Sequence, residues 1–241
     1  GLWRGGLMEH NWRINTRQNV SGDELGFWLE GFLRHRGYGF KDVRDLVVCN
    51  VVRPLRPPIE RLGTRYLNKP PVFVEAHTQS LMPVRYDDPR EVGADRVVGA
   101  IAAFERLGCS LVVVDFGTAT TFDCVSDKGE YLGGAIAPGF RLSADALFDK
   151  ARRLPRMEQF YKPGSAVGKN TLDSLNSGLV LGYAGLVEGV VARVRAEMGP
   201  VRVVATGGLA ALIADEAKVV EAIYPELTME GLKIVYDKGA W

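Results

Sequence analysis

The sequence predicts an α/β protein, and two observations lead to that prediction. Short apolar runs typical of buried strands are followed by longer segments with helical periodicity, and this order of strands and then helices occurs twice along the chain. At 241 residues the chain is long enough for one large domain or two modest ones. A second set of strands begins after residue 110, so we expect the boundary between the two sets near residues 107–110.

The first thirty-seven residues predict a hairpin and a helix. Gly5 and Gly6 separate two strand-like segments, which is typical of a tight turn between antiparallel strands. Ser21, with Glu24 three residues later, predicts a capping box at the start of an amphipathic helix. Gly37 is expected to end that helix.

The next segment predicts two strands and a buried helix. Strands are expected at residues 45–52 and 72–75, and the five prolines between residues 54 and 71 predict only loops and short strands there. Residues 95–108 are apolar on nearly all sides, which predicts a helix packed deep in the protein.

The second half predicts a three-stranded meander, a strand and several helices. The turns FGTAT and SDKGE join the meander strands. These strands are expected at residues 111–115, 121–125 and 131–136, the later strand at 201–205, and the helices near 142–150, 171–198 and 209–217.

Composition excludes several classes of protein. Apolar residues make up 46% of the chain and charged residues 24%, which is typical of a globular protein rather than a disordered, collagen-like or coiled-coil chain. A net charge of +1 without a basic block argues against a nucleic-acid partner held by strong electrostatic attraction. The longest mostly apolar run, residues 179–192, is shorter than the roughly 18 to 20 residues that span a bilayer. We therefore expect no membrane segment.

The cysteines and histidines do not form a metal or disulfide pattern. The three cysteines are scattered, and no C-x-x-C pairs with the three isolated histidines to form a zinc site. The N-terminus also lacks the continuous apolar centre of a signal peptide. A reduced, cytoplasmic protein is the simplest interpretation.

The segment VVVDFGTATTFD carries a signal for a phosphate site. A buried strand places Asp115 at its end, and the turn with Gly117 exposes backbone N–H groups and hydroxyls that suit phosphate oxygens, with Asp115 placed to hold a cation beside them. The alternative is a hairpin turn rich in Thr because of its strand propensity. Burial of an Asp without a role is unfavourable, which favours a functional site.

The segment YDDPREVGADR ends at the predicted buried helix. Asp95 lies in the first turn of that helix, where a routine cap or dipole partner explains an Asp equally well. Gly93 just before it, and Arg96 on an otherwise apolar helix, favour a site. The guanidinium of Arg96 can form paired hydrogen bonds with a carboxylate.

Two helix starts are weaker candidates. Gly207 and Gly208 follow a buried strand, and their N–H groups can accept a nucleotide phosphate or their missing side chains can admit a flat base, although a plain turn is the commoner explanation. Thr171 begins the long helix, where its hydroxyl is free either to cap the helix or to contact a ligand.

Four glycines form one stripe on the long helix: Gly178, Gly182, Gly185 and Gly189. Each costs about 1 kcal/mol relative to Ala in a helix interior, so the stripe requires compensating close contacts. Packing within the chain and a subunit interface both explain it. We expect a homodimer built partly on this helix.

Taken together, these motifs resemble the type III pantothenate kinases of the acetate and sugar kinase/Hsp70/actin superfamily. The resemblance runs along most of the chain and rests on several motifs in order and spacing. They are HNWRI, GADR at 93–96, DFGTATTFD at 115–123, GEYLGGAIAPG at 129–139, LP at 154–155, GKNT at 168–171, SGLVLGYAGLVEG at 177–189 and ATGGLA at 205–210.

The resemblance implies two ribonuclease H-like (actin-like ATPase) domains around a central cleft, an N-terminal one at residues 1–107 and a C-terminal one at 108–241. It implies ATP-dependent phosphorylation of pantothenate to 4'-phosphopantothenate, the first step of coenzyme A biosynthesis, with Mg²⁺ accompanying ATP and a monovalent cation, K⁺ or NH₄⁺. The implied site residues are Asp95 as catalytic base; Tyr86, Gly93, Ala94, Arg96 and Thr171 for pantothenate; Asp115 for the cation; and Gly117, Thr118, Gly207 and Gly208 for ATP.

Two departures from the family pattern bear on activity. The family's D-x-G-N-T strand, which supplies the first phosphate-binding turn, has no counterpart in this sequence, so the N-terminal domain is expected to lack its first strand. Either the sequence begins too late, or the protein has lost a phosphate-binding loop. CNVVRP at residues 49–54 also replaces a Ser-Val-Val-Pro pattern. The alternative hypothesis is a non-enzymatic relative that senses a ligand or acts as an accessory regulator.

Overall fold

The computed structural model describes residues 1–151 and 153–241. Strands β1 (Leu2–Arg4) and β2 (Leu7–His10) form the predicted antiparallel hairpin. Helix α1 (Gly22–His35) follows, and its start confirms the predicted capping box, because the Ser21 hydroxyl accepts from the Glu24 N–H and the Glu24 carboxylate accepts from the Ser21 N–H.

The proline-rich segment is helical, so the prediction of only loops and short strands was wrong. Strands β3 (Val47–Val48) and β4 (Val72–Phe73) pair in parallel and are shorter than expected. Between them lies helix α2 (Arg56–Tyr66), which follows a single 3₁₀ turn. Its prolines occupy the first turn, where a missing N–H breaks no hydrogen bond and the fixed φ suits a helix.

A five-stranded sheet forms the centre of the molecule, in the order β7-β6-β5-β8-β9. The predicted meander pairs antiparallel, whereas β8 runs parallel to β5 and β9 runs parallel to β8. The strands are β5 (Leu111–Phe116), β6 (Ala119–Val125), β7 (Tyr131–Pro138), β8 (Arg202–Thr206) and β9 (Ala222–Ile223). Strand β9 was not predicted, since two residues carry no periodicity.

Helices cover both faces of this sheet, which confirms the α/β class. The helices are α3 (Ala94–Leu107), α4 (Phe140–Lys150), α5 (Thr171–Met198), α6 (Ala210–Ala214) and α7 (Leu227–Asp237). Helix α7 was not predicted from the sequence. It crosses α3 closely at Gly231, where a Cβ would lie 1.8 Å from the Val98 carbonyl oxygen.

Two apolar cores lie on opposite faces of the sheet, because alternate residues of a strand point to opposite sides. Val113 and Val125 pack with α3 and α7 on one face, which we call the α3 face. Val114 and Phe122 pack with α5 and α6 on the other, the α5 face. The α3-face core contains residues from both sides of the expected boundary at residue 107.

Helix α5 has the length and apolar composition of a membrane span, which the shorter run seen in the sequence did not suggest. Its buried residues, such as Val180 and Val187, pack on the α5 face, as in the core helix of a globular domain. Gly178, Gly182 and Gly185 lie on the other side, where a Cβ would meet nothing within 4 Å. Packing within the described chain therefore does not explain these three glycines.

Candidate active site

Asp95 lies in the first turn of α3, half-buried, where the chain enters the α3-face core. The N-cap is Gly93, which has no side chain to cap the helix, and the Asp95 carboxylate instead accepts a hydrogen bond from the Arg96 N–H at 2.9 Å. A Cβ on Gly93 would lie 2.6 Å from that carboxylate oxygen. Gly93 therefore leaves room for the side chain of Asp95.

Asp115 lies on β5 one residue before the strand ends, on the same α3 face. Its neighbours across the ladder are Thr121 on β6 and Thr206 on β8. Burial, followed by the negative charges of Asp95 and Asp123, raises the pKa of Asp115 to about 6. The charges of two neighbouring carboxylates thus act on Asp115 at one end of the sheet, where a bound cation would offset this negative charge.

Gly207 brings the turn after β8 against Asp115. Its φ is +94°, and a Cβ there would lie 2.5 Å from an Asp115 carboxylate oxygen and 2.7 Å from the backbone of Phe116. Only glycine fits such a position without displacing the carboxylate. The two glycine-containing turns predicted as nucleotide contacts, at residues 117–118 and 207–208, therefore follow neighbouring strands beside Asp115.

Gly117 and Thr118 form the turn between β5 and β6. The Gly117 N–H donates to the Ala119 carbonyl oxygen at 3.0 Å, and the Thr118 carbonyl oxygen accepts from the Gly139 N–H at 3.1 Å. Gly139 allows this approach, since a Cβ on it would lie 2.1 Å from the Thr118 oxygen. The start of α4 thus supports the predicted phosphate turn.

Arg96 points from α3 onto the sheet. Its Nε donates to Asp123 at 2.7 Å, and its guanidinium lies 5.9 Å from the centre of the Tyr131 ring. Burial is the strongest single influence and acts to lower the pKa of Arg96, but the charge of Asp123, the nearby Tyr131 and Tyr86 and the hydrogen bond to Asp123 together outweigh it, so the pKa is raised and the side chain stays charged. The Tyr86 ring lies beside this pair and against Gly133, where an added Cβ would be 3.3 Å from the ring.

Two of the predicted site residues stand apart from these contacts. Thr171 is the exposed first residue of α5, and Asn170 is the N-cap, so Thr171 does not cap the helix. Gly208 lies near Arg13, since a Cβ added to Gly208 would be 3.7 Å from Nη1 of Arg13. Within the described ranges, no hydrogen bond joins Thr171 to Asp95 or Arg96.

Sequence reasoning missed Asp123, Tyr131 and Cys49. Burial, then the charge of Asp95, raises the pKa of Cys49 to about 12, so it stays a thiol near the site. A buried carboxylate two residues after Thr121 on a strand of alternating pattern was the available signal for Asp123. The pairing with Arg96, 27 residues earlier, was visible only in the structure.

An open groove of about 490 Å³ lies between α6 and β9 and contains none of the predicted site residues. Among the described residues, no group of three His, Cys, Asp or Glu side chains is arranged to hold a metal ion. The carboxylate end of the α3 face offers carboxylates, a charged guanidinium and two glycine-containing turns, a set of groups that suits phosphoryl transfer.

Comparisons with known proteins agree with this chemistry. A family model described as type III pantothenate kinase matches residues 1–193. Two similar proteins named Type III pantothenate kinase come from Syntrophobacter fumaroxidans, 46% identical over 99% of this chain and 93% of its own length, and from Syntrophotalea carbinolica, 50% identical over 99% and 94%. A solved Campylobacter jejuni structure described as a Baf family transcriptional activator has a TM-score of 0.57 at 19% identity, covering 83% of this chain and 86% of that one. That likeness shows a shared fold.

Proposed function

The chain belongs to the type III pantothenate kinase family, and from that membership we propose how its own residues transfer a phosphoryl group from ATP to the hydroxyl of pantothenate, the first step of coenzyme A biosynthesis. The structural observation that carries the proposal is the meeting of Asp95, Asp115 and Gly207 at one end of the α3 face. The family match over nearly the whole chain does not favour a non-enzymatic relative.

Asp95 acts as the base in this proposal. In phosphoryl transfer most of the catalysis is positioning and charge neutralisation, so a carboxylate of ordinary basicity suffices to receive the hydroxyl proton late in the reaction. Its place in the first turn of α3 fixes it next to Arg96. Pantothenate is bound by Tyr86, Gly93, Ala94, Arg96 and Thr171.

ATP is bound at the two turns that flank Asp115. Gly117 and Thr118 contact its phosphates, and Gly207 and Gly208 lie beside the adenosine, where missing side chains let the nucleotide approach the backbone. Asp115, with the threonine neighbours on β6 and β8, is an oxygen-rich and negatively charged set that fits a monovalent cation, K⁺ or NH₄⁺. Such a cation, and Mg²⁺ carried with ATP, would neutralise phosphate charge.

A direct assay tests this function. Incubation of the chain with ATP and pantothenate should yield ADP and phosphorylated pantothenate in equal amounts, measured by mass spectrometry. ATP consumption in a reaction without pantothenate gives the background. Pantothenate that stays unphosphorylated, with ADP at that background, would contradict the proposal.

The wider organisation is proposed on the same footing. We propose an N-terminal domain at residues 1–107 and a C-terminal domain at 108–241, with the sheet of five strands in the second, and a cytoplasmic location consistent with three free cysteines.

We also propose a homodimer. Its support is the exposed stripe at Gly178, Gly182 and Gly185, where an added Cβ would meet no described residue within 4 Å.

A further inference from the structure

Arg96 forms a buried ion pair with Asp123. Only 11% of the Arg96 side chain and 2% of the Asp123 side chain are exposed. Loss of one partner from a buried ion pair leaves the other charged and without compensation, which is strongly unfavourable. The pair therefore holds the guanidinium in one place against the sheet.

Asp123 is itself held by two further donors. The Tyr131 hydroxyl donates to the same carboxylate oxygen as Arg96 at 2.7 Å, and the Thr121 hydroxyl donates to the other oxygen at 3.0 Å. Burial raises the pKa of Asp123, and the charge of Arg96 and these hydrogen bonds oppose that rise. With both oxygens engaged, the carboxylate is occupied in holding Arg96 rather than exposed to react.

Two nitrogens of Arg96, Nη1 and Nη2, have no hydrogen-bond partner among the described residues, since only Nε donates. Nη2 is buried, and none of the described residues accepts a hydrogen bond from it. A buried charged donor without an acceptor is unfavourable, so such a group in a native site calls for an acceptor that arrives with a ligand. Pantothenate carries a carboxylate, which is the preferred partner of a guanidinium.

We propose that Asp123 is a positioning residue, which fixes Arg96 so that its unpartnered guanidinium nitrogens, Nη1 and Nη2, are placed to bind the carboxylate of pantothenate. The inference rests on the proposed role of Arg96 in pantothenate binding. Asp123 does not touch the substrate and acts through Arg96, with Tyr131 and Thr121 holding Asp123 in turn.

The first test is pantothenate affinity, measured by titration calorimetry. Asp123→Asn should weaken binding about tenfold or more, since a charge-assisted hydrogen bond is lost. In steady-state kinetics, the KM for pantothenate should rise, whereas kcat and the KM for ATP should change little. This is the expected result when a substitution weakens binding of the ground state and of the transition state by the same amount.

A matched control lies on the same helix. Arg106 of α3 donates two hydrogen bonds, at 3.0 and 2.7 Å, to Glu230 of α7. Glu230→Gln removes the carboxylate partner of an α3 arginine far from the proposed site, and it should leave pantothenate affinity within twofold of the parent.

A double-mutant cycle separates positioning from general destabilisation. In an Arg96→Met background, Asp123→Asn should cause no further loss of pantothenate affinity, because its effect passes through Arg96. An analogue with CH₂OH in place of the carboxylate should bind parent and Asp123→Asn equally. An equal loss in both backgrounds would overturn the proposal, as would unchanged affinity in folded Asp123→Asn.

Gentler variants keep the test decisive if Asp123→Asn does not fold. Tyr131→Phe and Thr121→Val each remove one donor and should weaken pantothenate binding about threefold. Unchanged affinity in both would refute the positioning role. Binding is measured without ATP, so a parent that binds pantothenate but transfers no phosphate contradicts the proposed function and leaves this inference standing.

Discussion

The two faces of the five-stranded sheet are made by alternate residues of the same strands, yet they differ in chemistry. On the α5 face, Val114 and Phe122 are fully buried in an apolar core. On the α3 face the apolar residues give way, toward the end of β5, to Asp115 and Asp123. Both faces thus carry an apolar core that stabilises the fold, and the α3 face carries buried charge as well.

The difference shows that the buried charges of the proposed site lower the stability that the apolar residues provide. Hydrophobic burial is roughly proportional to apolar area, so the α5 face contributes free energy of folding, whereas buried carboxylates oppose folding unless they are paired. Burial raises the pKa of both carboxyls, but Asp123 is paired with Arg96, whereas Asp115 has no ion-pair partner among the described residues. An unbalanced charge of this kind is typical of a site that binds a charged ligand.

The largest expected effect is on activity, from a change at the charged face. Asp95→Asn should lower kcat for pantothenate by about a thousandfold, because a positioned base contributes roughly 10²- to 10⁴-fold. Thermal unfolding followed by circular dichroism should change little, since the side chain is only half-buried. Turnover within about threefold of the parent would remove Asp95 from its proposed role.

The next effect is on stability, from a change at the apolar face. Phe122→Ala should lower the free energy of unfolding by about 3 to 5 kcal/mol, through lost burial and the cavity it leaves. Chemical denaturation measures this, and kcat should be retained where the variant is folded. Phe27→Ala on α1, where the ring is 74% exposed, is the control and should change little.

A smaller and pH-dependent effect is expected at Asp115. Its pKa is about 6 in the folded chain against 3.8 for an unperturbed Asp, so the ionised form destabilises the fold above pH 6, and this destabilisation is lost as the pH falls toward 4. In buffer free of K⁺ and NH₄⁺, Asp115→Asn should therefore be more stable than the parent at pH 7.5, by about 3 kcal/mol at most.

Denaturation at several pH values checks the sign for Asp115. The stability difference between Asp115→Asn and the parent should shrink between pH 6 and pH 4. Asp127→Asn, at an exposed turn between β6 and β7, is the control for the substitution itself and should change the free energy of unfolding little. A gain for Asp115→Asn that is the same at every pH would mean that ionisation is not its cause.

The smallest effect on chain stability concerns the glycine stripe, away from both cores. Gly182→Leu should raise the free energy of unfolding of the single chain by under about 1 kcal/mol. Leucine forms helices better than glycine does, and a Cβ at this position would meet nothing within 4 Å among the described residues. Light scattering should nevertheless show one chain rather than two, since leucine would block the close approach of a partner. Gly31→Leu, at an equally open position on α1, should remain a dimer. A parent with the mass of one chain would refute the dimer.

The sequence alone determined the elements whose signals are local. The Ser21 and Glu24 cap, the buried helix α3 and the meander were all predicted, because capping and periodicity act within a few residues. The family motifs also identified Asp95, Arg96 and Asp115 as candidates, and the structure places them on the α3 face, with Asp95 near enough for its charge to raise the pKa of Asp115. Their roles remain predictions.

Only the tertiary structure decided the features that depend on distant partners. Helix α2 forms despite its prolines, and α7 takes its place by packing Gly231 against α3. The pairing of Arg96 with Asp123, and the contact of Gly207 with Asp115, join residues from separate elements. No local sequence pattern specifies such contacts. Burying a charge costs desolvation free energy, which is offset only by an oppositely charged partner, and packing of the whole chain decides which residue that partner is.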